Sequence, residues 1–234
     1  GDVGFNADTI AVVGDLSKAV SENEIDGSGF VLAPGFIDTH SHHDRGMFEK
    51  RDMEALTSQG VTTMIVGQDG GSQFPLTQLT NKLDSTPVSI NVGSYTGHNT
   101  IRRMVLGEKY QREATQEEVD QMKELLEQDL KLGSLGLSTG LEYDPGIYSN
   151  ENEVLALANV VAQYDGRYIS HMRSEDRYFW EALKEIINIG KQSGIPVQIS
   201  HAKLAMKSLW GQSNRMIGIL DSARNAGIDI TADI

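Results

Sequence analysis

The chain has 234 residues, 39% of them hydrophobic and 23% charged, which is ordinary for a globular protein with one large domain. Its formal net charge of −13, without any basic stripe, argues against binding to nucleic acid, whose phosphates an acidic surface repels. No apolar run approaches the ~18 residues of a membrane-spanning helix, and zero cysteines exclude disulfides and thiolate metal sites. We therefore expect neither nucleic acid nor membrane as a partner. We expect a cytoplasmic location, with a periplasmic or secreted one left open.

Residues 1–33 are predicted to form part of a small β-domain. DTIAVVG (8–14) is predicted to be a strand that stops at a glycine, and GSGFVLAP (27–34) a second strand after a turn. The sequence starts inside this β-rich segment, so we expect the small domain to be incomplete. The main domain is expected over residues 34–234.

Seven short β-branched runs follow, and longer segments with helical periodicity or helix-start signals separate them. The runs are GFIDTH, VTTMIVG, VSINVG, GSLGLSTG, RYISH, PVQISH and IDITADI. Strands that alternate with helices are typical of a parallel α/β fold. Both a doubly wound sheet and a (β/α)8 TIM-type barrel fit this count.

Three of the separating segments carry clear helix signals. TQEEVDQMKELLEQDLKLG opens with a capping-box pattern from Thr115 to Glu118. SNENEVLALANVVAQY begins with a Ser/Asn cap and continues with an apolar stripe. SEDRYFWEALKEIINIGKQSG is predicted to start at Ser174 and to end at Gly194.

Polar side chains at the strand ends favour the barrel. They are His40, Asp69, Ser138, His171, His201 and Asp233. In barrel enzymes the active site collects at the C-terminal ends of many strands, whereas a doubly wound sheet concentrates its site at one switch point. We therefore predict a barrel of which seven strands lie in this sequence. The eighth strand, which closes such a barrel, is expected beyond residue 234.

A cluster of histidines indicates a metal site. His40 and His42 are two residues apart at a strand end, so both imidazoles can approach one ion, and imidazole nitrogen suits Zn²⁺ and its neighbours. His43 breaks this alternation and is predicted not to bind metal. His171 and His201 end later strands with the same Ile-Ser-His pattern. One such histidine is more often a hydrogen-bonded polar residue, but four together indicate a metal centre.

Six motifs carry a resemblance to a known family. GFIDTHSHHD, GVTTMIVGQDG, GHNTIRRMVLG, GLEYDPGIYS, ISHMRSE and ISHAK occur in this order over nearly the whole chain. Together they resemble the amidohydrolase superfamily and, within it, the N-acyl-D-amino-acid deacylases or D-aminoacylases. The resemblance implies a zinc-dependent enzyme with one or two ions, other divalent metals being allowed. Its substrate, and expected partner, is a small N-acyl-D-amino acid, cleaved to a carboxylate and a free D-amino acid. The oligomeric state is not indicated.

The resemblance also implies roles for the clustered residues. His40 and His42 match the ligands of the more buried metal, and His171 and His201 match those of the second, catalytic zinc. Asp69, in GQDG, stands where the family usually has a metal-binding cysteine. A carboxylate is a competent but harder zinc ligand, which could shift the metal preference. A turn residue without metal contact is the alternative for Asp69.

Further positions match groups around the metals. Tyr143 and Lys203 match residues that hold the substrate carboxylate, a role that suits a phenol and a cation. His98 is interpreted either as facing the acyl pocket or as a loop residue that forms hydrogen bonds. Three strand-end groups could orient metal ligands: Ser138, Arg173 and Glu175.

No catalytic residue is assigned in this sequence. In the superfamily, an aspartate at the end of the eighth strand transfers the proton, and the resemblance places it beyond Ile234. Asp233, on the seventh strand, is not the equivalent position, so residues 1–234 alone are expected to be inactive. Two other functions stay open. One is another amidohydrolase reaction, dihydroorotase-like or isoaspartyl dipeptidase-like, and the other is a non-catalytic scaffold.

Overall fold

The computed structural model describes residues 1–234, which form two compact units, 1–34 and 35–234. The β-strands are β1 (Asp2–Asn6), β2 (Thr9–Gly14), β3 (Phe36–Asp38), β4 (Val61–Val66), β5 (Asn91–Ser94), β6 (Thr96–Gly97), β7 (Gly136–Gly140), β8 (Arg167–His171), β9 (Val197–Ile199) and β10 (Ile230–Ala232). The α-helices are α1 (Glu54–Thr57), α2 (Leu76–Ser85), α3 (His98–Leu106), α4 (Gln116–Lys131), α5 (Glu151–Val161), α6 (Phe179–Ser193) and α7 (Ser213–Asn225). None of these helices combines the length and the apolar character needed to cross a bilayer.

The unit of residues 1–34 is an antiparallel hairpin followed by irregular chain. β1, which the sequence did not predict, pairs with β2 across a two-residue connection in which Ala7 has a φ of 53°. The prediction of a strand over 27–34 is wrong, because that segment pairs with no strand and its Phe30 and Val31 are largely exposed. A strand persists only where its backbone groups find a partner, and β2 finds one in the adjacent β1.

The unit of residues 35–234 confirms the parallel α/β prediction. β3, β4 and β5 form one parallel sheet, and β6 to β10 form a second, in chain order. Only Tyr95 separates β5 from β6, so the seven predicted strands follow one another in a single parallel order. Helices alternate with these strands, as they do in a (β/α)8 barrel, of which this chain forms part.

The N-terminal caps of α4 and α5 are as predicted. The Thr115 hydroxyl accepts the N–H of Glu118, and the Glu118 carboxylate accepts the N–H of Thr115, which completes the capping box. Asn150 caps α5 by accepting the N–H of Glu153 at 3.0 Å. Such caps satisfy N–H groups that have no partner within the helix.

α6 begins five residues later than predicted. The Ser174 hydroxyl accepts the N–H groups of Asp176 and Tyr178, so it stabilises a turn that precedes the helix, and α6 begins at Phe179. The Ser174 side chain therefore does form hydrogen bonds with nearby backbone N–H groups, but it caps the turn and not the helix. The predicted end is confirmed, because Gly194 follows the last turn with a left-handed φ of 74°.

Two apolar cores hold the strands in place. The larger one packs α3 to α6 against β7 to β9 through side chains such as Leu126, Leu157 and Ile186. The smaller one lies around β4 and includes Met64 and Leu79. Burial of each such side chain contributes about 1.5–3 kcal/mol to the free energy of unfolding. The packed cores therefore hold the C-terminal ends of the strands in fixed positions.

Candidate metal centre

The five predicted metal ligands lie after four different parallel strands. His40 and His42 follow β3, Asp69 follows β4, His171 ends β8 and His201 follows β9. Oδ2 of Asp69 is 3.2 Å from Nε2 of His42. Its Oδ1 is 3.6 Å from Nε2 of His40 and 3.5 Å from Nε2 of His201. Three imidazoles therefore face one carboxylate.

His171 joins this cluster through His201. Nδ1 of His171 is 3.0 Å from Nε2 of His201, and the two ring centroids are 4.6 Å apart. The ring of His40 lies 5.3 Å from that of His201. The side chains brought together thus form one continuous group centred on His201.

The loop after β4 brings Asp69 to this position through close backbone approaches. Asp69 itself has a φ of 52°, a left-handed conformation that aspartate adopts more readily than most residues. A Cβ at Gly140 would lie 2.2 Å from the carbonyl oxygen of Asp69, so only glycine fits there. The hydroxyl of Ser138 accepts the N–H of Gly70 at 3.2 Å and supports the same loop. Ser138 therefore positions a predicted ligand.

The chemistry of the cluster fits a divalent metal ion. Oδ1 of Asp69 is buried without a hydrogen-bond partner, which is costly for an anionic oxygen unless a cation approaches it. The residues form two overlapping groups whose ligand atoms lie within 4.8 Å of one another: His40, Asp69 and His201, and His171, Glu175 and His201. Imidazole and carboxylate together are an ordinary ligand set for Zn²⁺.

The clustered groups shift one another's pKa values. Burial lowers the pKa of His40, but the carboxylates of Asp233 and Asp69 beside its ring nitrogens outweigh it and raise that pKa to about 9. The carboxylates of Asp69 and Glu175 likewise raise the pKa of His201 to about 9. Burial raises the pKa of the Asp69 carboxyl, yet the same imidazoles hold it far below its usual range. The carboxylates therefore keep their charge and attract a cation, either protons or a metal.

The two predicted substrate-binding residues lie at the rim of the cluster. The hydroxyl of Tyr143 is 3.0 Å from Nδ1 of His171. Nζ of Lys203 forms an ion pair with Glu175 and lies 3.0 Å from Nδ1 of His201. Both side chains remain about half exposed, so a ligand can reach them.

Two of the other sequence assignments lie away from the cluster. His98 is completely buried and its Nε2 is 2.8 Å from Glu153, which matches the hydrogen-bonding interpretation and not the acyl pocket. Arg173 pairs with Glu185 at 2.7 Å and donates to the carbonyl of Ser149, so it orients none of the clustered histidines. A long arginine side chain reaches past its own strand end, which the sequence position alone does not reveal.

His43 makes no contact with Asp69, whereas two further carboxylates contact the clustered histidines. Nδ1 of His43 is 3.0 Å from the Ser41 hydroxyl and forms no contact with Asp69, as its predicted non-ligating position requires. Asp233 lies 3.3 Å from Nδ1 of His40, and Glu142 lies 3.1 Å from Nε2 of His171. Neither carboxylate was assigned a binding or catalytic role from the sequence. For Glu142 the only signal was its place beside Tyr143.

Comparison with known proteins identifies the family of this chain. The family model described as "Amidohydrolase family" matches residues 23–231. The chain belongs to the amidohydrolase family. Among the similar proteins are a D-aminoacylase and an N-acyl-D-glutamate deacylase, both from Alcaligenes xylosoxydans xylosoxydans. The first is 34% identical over 99% of this chain and 52% of its own length, and the second is 33% identical over 100% and 52%.

A solved amidohydrolase structure has the same fold. The structure of N-acyl-D-glutamate deacylase from Bordetella bronchiseptica, in complex with zinc and a phosphonate inhibitor, superposes with a TM-score of 0.92 and 33% sequence identity. The match covers 99% of this chain and 53% of that one. The amidohydrolase chain described here thus spans about half the length of the relatives it matches.

Proposed function

We propose that this amidohydrolase is part of a metal-dependent deacylase that hydrolyses N-acyl-D-amino acids to a carboxylate and a free D-amino acid. The observation that carries the proposal is the convergence of three histidines on the largely buried carboxylate of Asp69, with a fourth, His171, in contact with His201. A scaffold protein has no need of such a group. The activity of the relatives supports the choice of substrate, since they are named for deacylation of D-amino-acid derivatives.

The metal would be held by the clustered side chains. His40, His42 and Asp69 would hold one ion, and His171 and His201 would hold a second or complete a single site. Zinc suits this ligand set, and the carboxylate of Asp69 also accepts harder divalent ions. When bound, such an ion polarises an amide carbonyl and lowers the pKa of a water molecule.

Tyr143 and Lys203 would orient the substrate. The ammonium group of Lys203 is kept at the edge of the cluster by Glu175, where it can form a charge-assisted hydrogen bond with the free carboxylate of an N-acyl amino acid. Burial, followed by the charges of Asp69 and Glu175, raises the pKa of Tyr143. Its phenol therefore keeps the proton and can donate it in a hydrogen bond to the same carboxylate.

A substrate panel tests this function. The natural-length protein is incubated with N-acetyl-D-amino acids, their L-enantiomers, hydantoins and dihydroorotate, and release of amine or opening of the ring is measured. We expect hydrolysis of the D-series. Preferential opening of the cyclic amides would overturn the proposal in favour of a dihydroorotase-like reaction.

Metal analysis provides the second arm, with a matched pair of variants. His42 and His43 are adjacent and both exposed, but only His42 contacts Asp69. We expect stoichiometric metal in the wild-type protein, loss of metal in His42→Asn and retention in His43→Asn. A wild-type protein that contains no metal would exclude the proposed enzyme.

A further inference from the structure

Two histidines of the cluster turn one ring nitrogen inwards and the other towards a carboxylate. Nε2 of His40 faces Asp69, while its Nδ1 lies 3.3 Å from Asp233. Nε2 of His201 faces Asp69 as well, while its Nδ1 lies 2.7 Å from Glu175. Both rings therefore have Nε2 inwards and Nδ1 outwards.

His171 is oriented in the opposite sense. Its Nδ1 lies 3.0 Å from both Nε2 of His201 and the hydroxyl of Tyr143, and its Nε2 lies 3.1 Å from Oε2 of Glu142. Glu142 belongs to the loop after β7, two residues beyond Gly140. Its side chain is partly exposed, so it is free to adopt another position unless the contact with His171 holds it.

These contacts determine which nitrogen carries the hydrogen. An ionised carboxylate only accepts hydrogen bonds, so the ring nitrogen that faces it carries the N–H and the opposite nitrogen keeps a lone pair. Glu142 thus leaves the lone pair of a neutral His171 on Nδ1. A protonated His201 can donate to this lone pair from Nε2 at 3.0 Å, and a bound cation would interact with the same lone pair.

We propose that Glu142 is a positioning residue that holds the hydrogen on Nε2 of His171 and directs the Nδ1 lone pair towards the metal. The inference rests on the metal centre of the proposed function. It adds that Glu142 determines which nitrogen of His171 is the ligand atom. Carboxylates in this position behind a metal-binding histidine typically change metal affinity by about 10- to 100-fold. The contact also fixes the ring against rotation.

The direct test measures metal affinity of the natural-length protein by competition with a chromophoric chelator for Zn²⁺. We expect Glu142→Ala to weaken one site by about 10-fold or more, on the scale of such partners. Glu142→Gln should lie between wild type and Glu142→Ala, because its amide oxygen still accepts the N–H without a full charge. Glu124→Gln, an exposed change on α4, is the matched control and should bind as wild type does.

A spectroscopic measurement separates positioning from a general structural effect. The ¹⁵N shifts of His171 in the metal-free protein should report the Nε2–H tautomer in wild type and a mixture of tautomers in Glu142→Ala. Unchanged affinity and an unchanged tautomer in Glu142→Ala would overturn this inference while leaving the proposed function intact. A wild-type protein without metal affinity would overturn the proposed function instead.

Discussion

Nδ1 of His40 lies 3.3 Å from the carboxylate of Asp233, although 193 residues separate them in the sequence. The first and the last parallel strands of the chain therefore meet at the metal cluster. Asp233 also accepts hydrogen bonds from the side chain of Gln198 and the backbone N–H of His201. One carboxylate thus links three strand ends.

This link predicts the effect of Asp233→Asn. The new amide would place an N–H₂ donor against a donor of His40, Gln198 or His201, so one partly buried hydrogen bond becomes a donor–donor contact. We expect a loss of about 1–3 kcal/mol in the free energy of unfolding, measured by urea denaturation. Asp229→Asn, an exposed change just before β10, is the control and should be neutral.

The pH dependence of the metal-free protein follows from the raised pKa values of His40 and His201. Both are about 9, against an ordinary value of 6.5. A group whose pKa is raised on folding stabilises the fold fully below its unfolded pKa and loses that contribution as the pH rises through the folded one. The metal-free protein should therefore lose stability between about pH 6.5 and 9, measured by thermal unfolding in the presence of a chelator.

Metal binding should show the opposite trend over the same range. Imidazoles must be deprotonated to bind metal, so affinity should rise from pH 6.5 towards 9 and protons should be released on binding. Calorimetry in buffers of different ionisation enthalpy measures this release. Binding without proton release at pH 7 would show that His40 and His201 are not ligands.

Substitution of Asp69 tests whether this residue binds the metal. It stands where the family is expected to have a metal-binding cysteine. Asn tolerates the left-handed backbone at this residue, so Asp69→Asn isolates the charge. We expect metal affinity to fall by at least ~10-fold. Asp69→Cys should shift the preference towards thiophilic ions such as Cd²⁺ relative to Mn²⁺. Equal metal preference in Asp69→Cys and wild type would favour the alternative of a simple turn residue.

Lys203→Met tests recognition of the substrate carboxylate. The loss of one charge-assisted hydrogen bond is worth about 1.5–3 kcal/mol, so KM for an N-acyl-D-amino acid should rise by ~10-fold or more. Hydrolysis of the corresponding neutral N-acyl amino amide should change much less. Lys207→Met, four residues further on and also exposed, is the control. A similar change for the acid and the amide would contradict this role.

The buried network around Glu153 predicts a large structural effect. Its carboxylate accepts from Arg102 and contacts His98, each at 2.8 Å, and all three side chains are almost completely buried. Glu153→Ala leaves the guanidinium of Arg102 without its anion, so we expect a loss of about 3–5 kcal/mol on urea unfolding. Asp120→Ala, which removes an exposed pair with Lys123, should cost less than ~1 kcal/mol.

Much of the fold and the candidate site was predicted because the decisive patterns are local. β-branched runs between helical segments determined the seven parallel strands, and the Thr115 capping box determined where α4 begins. Strand-end histidines could be grouped in advance because parallel strands place their C-terminal ends on one side. The errors arose where a local signal had competing partners, as at Ser174, whose hydroxyl caps a turn and not the helix.

The sequence by itself determined the strand order, the family and the five predicted metal ligands that meet. Only the tertiary structure decided which nitrogen of each imidazole faces inwards, because that depends on carboxylates brought from other strands. Glu142, Glu175 and Asp233 lie 26 to 193 residues from the histidines they contact. No local sequence pattern predicts contacts across such sequence separations, because hydrogen bonds between strand ends form only after the sheet has brought those ends together.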